Sequence, residues 1–342
     1  MADCSPCYPN NIDLNNKTFT FAEGLFSMNI TILDGYSVNP GDLSWQEIAN
    51  EGNLTVYERT APDQVVERAK DSEIVLTNKV VLDADILHQL PKLKYIGILA
   101  TGINVVDVAE AHRMGITVTN IPSYSTMSVA QSVFALLLAF TNSTEHYSDQ
   151  FHRGEWAKCP DFCFVNTDLT ELAGKKFGII GYGHIGRAAG TIARAFGMEV
   201  YAASSKSQDQ LPEVVKMSID DIFSTCDVVS LHCPLTDDTF HLANARRIGS
   251  MKSDAILINT ARGPLVDEEA LADALKAGRI RGAGLDVLGQ EPPRADNPLT
   301  GAPRCIVTPH IAWATKEARA RLMDIAASNL RAYLAGSPVN RV

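Results

Sequence analysis

The sequence predicts an α/β protein built from two doubly wound parallel sheets. Short apolar segments alternate with helix-patterned ones from Met28 to about Thr119. A second alternation of the same kind runs from Phe177 to about Thr308. The second opens on Phe177-Gly-Ile-Ile-Gly181-Tyr-Gly183-His-Ile-Gly186, the stretch around which the chain is organised. Alternating strands and helices imply a parallel sheet with helices on both faces.

The bulk numbers agree with two globular units. The chain has 342 residues, 46% hydrophobic and 20% charged, enough for two cores. A net charge of −10 makes a poor partner for nucleic acid or an anionic membrane. The longest apolar run, near Val133–Phe140, falls far short of the roughly 20 residues of a membrane span, and the N-terminus lacks a secretory pattern. Seven cysteines, an odd number, point to reduced thiols and a cytoplasmic protein. Cys4-x-x-Cys7 and the Cys159/Cys163 pair lack completing ligands, so no metal is expected.

Residues 1–27, rich in Asn, Asp, Pro and Ser, read as a flexible leader. The first series then runs strand 29–33, helix 43–50, strand 54–57, helix 64–70, strand 74–77, strand 95–99, helix 105–113 and strand 117–119. It carries no glycine fingerprint. Ser128–His146 reads as one long helix with a broad apolar side, suited to an inter-domain or dimer contact.

The second series begins at the glycine stretch. An apolar strand, Gly181-x-Gly183-x-x-Gly186 and a small-residue helix, Arg187–Phe196, form the context of a dinucleotide-binding turn. Gly181 makes the turn, Gly183 lets backbone approach a pyrophosphate, and Gly186 lets helix and strand pack closely. The helix N-terminus, with His184 and Ile185, offers N–H groups to phosphate. Strands 200–203, 228–231, 255–258, 284–287 and 305–308 follow. A helix capped by Asp267, with Glu268 and Glu269 in its first turn, precedes Gly278. A terminal helix spans about Lys316 to Leu334.

Ligands of such a sheet bind beyond the carboxyl ends of the strands. Those ends carry His232, Arg262, Asp286 with Glu291 in the following loop, and His310. Each has a plainer reading: a surface arginine, a loop acid, a core histidine, or a histidine packed under the cofactor. Together they fit one reaction. Arg262 clamps a carboxylate bidentately. His310, oriented by Glu291, passes a proton to or from the substrate oxygen as a nicotinamide cofactor handles the hydride.

From about residue 28 to the end, the sequence resembles the D-isomer-specific 2-hydroxyacid dehydrogenases. The resemblance rests on Gly181–Gly186, Leu231-His-Cys-Pro-Leu-Thr236, Ile258-Asn-Thr-Ala-Arg-Gly263, Gly284-Leu-Asp-Val287 leading to Glu291-Pro292, and Thr308-Pro-His-Ile311. Glu291-Pro-Pro-Arg-Ala-Asp-Asn-Pro298 and His310-Ile-Ala-Trp-Ala-Thr315 resemble the glycerate dehydrogenase, or hydroxypyruvate reductase, branch. The family pattern implies that Arg262, Glu291 and His310 are catalytic. It places cofactor contacts at His232, Cys233, Pro234, Thr260 and Ala261, and at Asp286, on the nicotinamide carboxamide. Backbone around Leu99, Ala100, Thr101 and Gly102 would hold the substrate carboxylate, with Arg262 and His310. The resemblance further implies a Rossmann cofactor domain (123–312) inserted in a flavodoxin-like substrate domain (28–122 and 313–342), and a homodimer.

Two departures matter. Ala203-Ser204-Ser205-Lys206 lacks the aspartate that many members place at the end of the second Rossmann strand, so the cofactor is NAD(H) or NADP(H). Gly102-Ile103-Asn104 stands where many have Gly-x-Asp, on the substrate side. The expected activity is hydride transfer between a nicotinamide cofactor and a small 2-hydroxy or 2-keto acid, with D-glycerate and hydroxypyruvate first. The alternatives are a reductase for glyoxylate or another 2-keto acid, and an NAD(H)-sensing, corepressor-like binding protein.

Overall fold

The computed structural model describes residues 17–19 and 28–342. The chain divides into two compact units, one of residues up to Tyr124 together with Lys316–Val342, the other of Ser125–Thr315.

The strands of the first unit are β1 (Lys17–Phe19), β2 (Asn29–Ile32), β3 (Asn53–Val56), β4 (Ile74–Thr77), β5 (Tyr95–Ile98) and β6 (Thr117–Thr119). They lie in the order β1-β3-β2-β4-β5-β6. From β2 onward every pairing is parallel, and the parallel strands follow the flavodoxin-like order 2-1-3-4-5. β4 and β5 are buried at every position, as strands covered on both faces must be. Around them lie α1 (Gly35–Val38), α2 (Gln46–Ala49), α3 (Val65–Ala69), α4 (Ala84–Leu87) and α5 (Val108–Arg113). Leu33, Val75, Ile96, Ile98 and Val118 form the centre of one core cluster.

The leader reading is corrected at one point. Lys17–Phe19 pairs antiparallel with β3, in the register Lys17↔Val56. Three residues among polar neighbours are too few to show a period of two, and the partner edge is supplied by β3. The rest of the leader, with Cys4 and Cys7, lies outside the described residues.

The second unit opens with α6 (Thr126–Asn142) and α7 (Thr144–His152). The single expected helix is therefore two, broken at Ser143, whose φ is 48°. Asn142, Ser143 and Thr144 are residues that bond their own backbone and end helices readily. The apolar side of α6 is used within its own unit: Val133, Phe134, Leu136 and Leu137 join Phe177, Ile179, Ala189 and Ala193 in one core. The Phe134 ring stacks on Phe177 at 5.7 Å and on Phe196 at 5.4 Å.

Then come β7 (Lys176–Ile180), α8 (His184–Ala195), β8 (Glu199–Ala203), β9 (Val215–Lys216), α9 (Ile219–Thr225) and β10 (Val228–Leu231). They are followed by α10 (Ala245–Ser250), β11 (Ile256–Asn259), α11 (Glu268–Lys276), β12 (Gly282–Leu285) and β13 (Cys305–Val307). The order β13-β12-β11-β10-β7-β8-β9 is parallel throughout, which is 3-2-1-4-5-6 with one strand added. The exposed two-residue β9 has no apolar pattern to announce it, so β10 is the fourth strand of this series rather than the third. Asp267 caps α11 by accepting from the Ala270 N–H. The terminal helix, α12 (Lys316–Leu334), belongs to the first unit.

Candidate active site

Parallel pairing brings the carboxyl ends of β7, β10, β11, β12 and β13 to one sheet edge. Gly181 leaves β7 with φ 96°, and a Cβ there would sit 2.5 Å from the Cys233 nitrogen. A Cβ on Gly186 would collide with the Gly181 carbonyl, so both glycines are required by the protein's own packing. Gly183 differs. A Cβ there would meet no atom of the described residues within 4 Å, so the glycine answers to something that approaches the backbone from outside. That backbone is the N-cap of α8 (His184–Ala195), whose first N–H groups lack intrahelical partners. His184 is exposed, Ile185 half-buried. Thr260, directly after β11, has its hydroxyl buried without a partner among the described residues. A phosphate cradle and an unmatched hydroxyl on the same edge fit a dinucleotide.

Ser204, Ser205 and Lys206 follow β8 without a carboxylate among them. The Lys206 N–H donates to Ser204 Oγ at 3.2 Å. From β9, Lys216 Nζ donates to the Lys206 carbonyl at 2.8 Å, and the Lys216 N–H to Gln208 Oε1 at 2.7 Å. Two lysines are thus gathered at this strand end. After β10, the His232 ring meets Ser230 Oγ at 2.8 Å. Burial pushes its imidazole down to about 4, so it is neutral at physiological pH. Burial raises the Cys233 thiol, which stays protonated. Pro234 is exposed.

Arg262 stands on a turn built by Asn259. The fully buried Asn259 amide accepts from the Ala261 N–H at 3.0 Å and donates to the Arg262 carbonyl at 2.8 Å. The Arg262 guanidinium is exposed and donates to the Ala261 carbonyl at 2.7 Å. Among the described residues it meets no carboxylate.

His310 Nδ1 lies 2.6 Å from Glu291 Oε2. Glu291 Oε1 accepts from the Leu288 N–H at 3.0 Å. The histidine has φ 54°, a conformation rare outside glycine, and Asp286 holds it there. The Asp286 carbonyl accepts from the His310 N–H at 2.8 Å. Its carboxylate, in a residue only 1% exposed, accepts from Thr308 Oγ1 at 2.6 Å, Ile311 N at 2.9 Å and Ala312 N at 2.8 Å. Asp286, for which the resemblance implies a cofactor contact, thus shapes the turn that carries His310.

In the other unit, Leu99–Gly102 forms a turn after β5. The Leu99 carbonyl accepts from Asn78 Nδ2 at 2.6 Å, the Ala100 carbonyl from Ile121 N at 3.0 Å, and the Thr101 carbonyl from Asn120 Nδ2 at 2.8 Å. The N–H groups of Ala100, Thr101 and Gly102 have no partner among the described residues.

Sequence reading missed Asn259 and Asn78 as supports. Each is a lone amide at the end of an apolar strand, and burial alone makes that placement meaningful. Among the described residues no three His, Cys, Asp or Glu gather as metal ligands. No single described helix is long and apolar enough to cross a membrane; α6 and α7 reach that length only across a 56° bend.

Residues 134–312 match the NAD-binding domain of the D-isomer-specific 2-hydroxyacid dehydrogenases. The chain is 46% identical over 320 residues to a hydroxypyruvate reductase of Blautia hydrogenotrophica, covering 92% of this chain and 99% of that one. It is 45% identical to a glycerate dehydrogenase of Methylorubrum extorquens, across 84% of this chain and 90% of that one. Among solved structures, an acyclic imino acid reductase in complex with NADPH and D-Arg superposes with a TM-score of 0.81 at 32% identity, covering 92% and 100%. The D-lactate dehydrogenase of Aquifex aeolicus, complexed with NAD and lactic acid, gives 0.78 at 29% identity, covering 90% and 96%. With likeness of that depth along nearly the whole chain, and a glycine turn and a Glu-paired histidine on the carboxyl-end edge of one parallel sheet, the protein belongs to the D-isomer-specific 2-hydroxyacid dehydrogenases and is an NAD(P)-dependent oxidoreductase acting on CH–OH groups.

Proposed function

We propose that the protein interconverts hydroxypyruvate and D-glycerate. The His310–Glu291 pair carries the reading, because a carboxylate on Nδ1 holds the ring and leaves Nε2 as the proton-exchanging atom. The names of the two relatives direct the choice of substrate. Arg262, which meets no carboxylate among the described residues, receives the substrate carboxylate and polarises the neighbouring carbonyl. Within the first unit, the N–H groups of Ala100–Gly102, without a partner among the described residues, suit an anionic group. When bound, the nicotinamide supplies hydride in reduction and accepts it in oxidation. In reduction, His310 Nε2 donates a proton to the carbonyl oxygen; in oxidation it removes the hydroxyl proton. Asp286 would stand beside the carboxamide of a bound nicotinamide, through the turn it holds.

Ser204, Ser205 and the lysines 206 and 216 favour acceptance of NADPH as well as NADH, since no carboxylate stands within Ala203–Lys206 to repel a 2′-phosphate. A homodimer is the proposed assembly. Phe151, Trp156, Phe162 and Val165 are exposed, Phe162 by 90%, along one segment after α6. The five described cysteines are free thiols, which suits the cytosol.

Initial rates with hydroxypyruvate, glyoxylate and pyruvate, each with NADH and NADPH, test this. Hydroxypyruvate should show the highest kcat/KM. Tight cofactor binding without turnover of any of the three would instead support a sensor.

A further inference from the structure

Glu268 lies in the first turn of α11, where a negative charge beside the Asp267 cap complements the helix dipole. That role needs no distant contact. The structure shows two. Glu268 Oε1 accepts from the Gly289 N–H at 2.5 Å, and Oε2 accepts from Asn297 Nδ2 at 2.8 Å. One carboxylate therefore holds both ends of the segment 289–297, and Glu291 lies inside it. The chain between Arg262 and Glu268 touches this loop a second time. A Cβ on Gly263 would collide with the Leu288 carbonyl group, so the turn bearing Arg262 packs directly on the start of the loop.

We propose that Glu268 is a positioning residue that clasps the Glu291 loop to the Arg262 segment, and so sets the Glu291–His310 pair. The proposal rests on that pair's role in proton transfer. Loops of this kind carry their own side chains loosely unless their ends are fixed, and displacement of a catalytic group by about 1 Å costs up to roughly a hundredfold in rate. Glu268 reaches the reacting atoms only through Glu291 and His310.

The neighbouring Glu269 provides the control. It is exposed, in the same helical turn, and its carboxylate makes no hydrogen bond or ion pair among the described residues. Glu268→Ala, Glu268→Gln, Asn297→Ala, Glu269→Ala and Glu291→Gln should be compared by kcat, KM, pH dependence of keto-acid reduction, and thermal unfolding. Glu268→Ala is expected to lower kcat by on the order of tenfold or more, with KM for the keto acid changed less. The pH above which reduction fails should move down, in the direction Glu291→Gln moves it. Glu268→Gln keeps one acceptor and should restore part of the loss. Asn297→Ala cuts one arm of the clasp and should fall between, which keeps the test decisive if Glu268→Ala folds poorly. Glu269→Ala should leave kcat and the pH dependence as in the wild type. The proposal fails if Glu268→Ala and Asn297→Ala match Glu269→Ala, or if they lower kcat with an unmoved pH dependence. If Glu291→Gln leaves both quantities unchanged, the Glu291–His310 reading itself is wrong.

Discussion

His310 Nδ1 and Glu291 Oε2 are 2.6 Å apart, joining the turn after β13 to the loop after β12. The contact commits one ring nitrogen to the carboxylate, and in the proposed mechanism the other serves the substrate. His310→Ala should lower kcat by roughly 10² to 10⁴-fold with a much smaller change in KM, the range of a lost general acid–base group. Glu291→Gln should cost less and displace the pH dependence of reduction to lower pH. Steady-state kinetics across pH 5 to 9 would show both, and normal turnover in His310→Ala would end the proton-transfer assignment.

Arg262 is exposed and meets no carboxylate among the described residues, as the proposed substrate-binding role requires. Arg262→Ala should raise KM for the keto acid and lower kcat together, while cofactor affinity, followed by quenching of protein fluorescence, stays near wild type. Arg262→Lys should recover only part of the loss, because an ammonium cannot grip a carboxylate in a planar, bidentate way. Equal loss of cofactor affinity in Arg262→Ala would place the residue in cofactor binding instead.

Asp286 is buried, and its carboxylate accepts three hydrogen bonds, one from the Thr308 hydroxyl and two from backbone N–H groups, in the turn that presents His310. Asp286→Ala leaves those donors without partners and should destabilise the protein by about 2–4 kcal/mol. Turnover should fall even where the variant is fully folded. Urea unfolding combined with kcat measured well below the transition checks both parts. An unchanged unfolding midpoint would show that the turn holds without its carboxylate.

His232 links stability to acid. Its imidazole, pushed down to about 4 by burial, has an ordinary value near 6.5 in the unfolded chain. Between those values the unfolded state binds the extra proton, so stability rises with pH and its contribution is complete above about 6.5. It is lost as pH falls from there toward 4. Acidification from pH 7 to 5 should therefore cost about 1–2 kcal/mol through this residue. His232→Gln should lose less stability over the same interval. Equal pH slopes in the two proteins by urea titration would refute the linkage.

Much of the site could be read in the sequence because strand ends announce themselves. β10 and β11 are buried along their whole length, and the first polar residues after such runs fall at the ligand edge of a parallel sheet. His232 and Asp286 stand out as candidates that way, and Arg262 and His310 follow a few residues beyond their strands. The glycine turn was legible because packing leaves Gly181 and Gly186 no alternative. The supports were not legible. Asn259 looks like one more strand residue, and Glu268 like an ordinary dipole acid. β9 is too short and too exposed to carry a period, and the break at Ser143 depends on one backbone angle.

The sequence by itself determined the two βα series, the dinucleotide turn and the candidate arginine, glutamate and histidine beyond the strand ends. These follow from short-range patterns: apolar runs, glycines at fixed offsets, and polar residues where the runs stop. Only the tertiary structure decided what holds those residues in place. Asp286 meets Thr308 across 22 positions of chain and Glu268 meets Asn297 across 29. Hydrogen bonds over such separations leave no periodic trace, because they form only once the sheet has brought its strand ends to one edge.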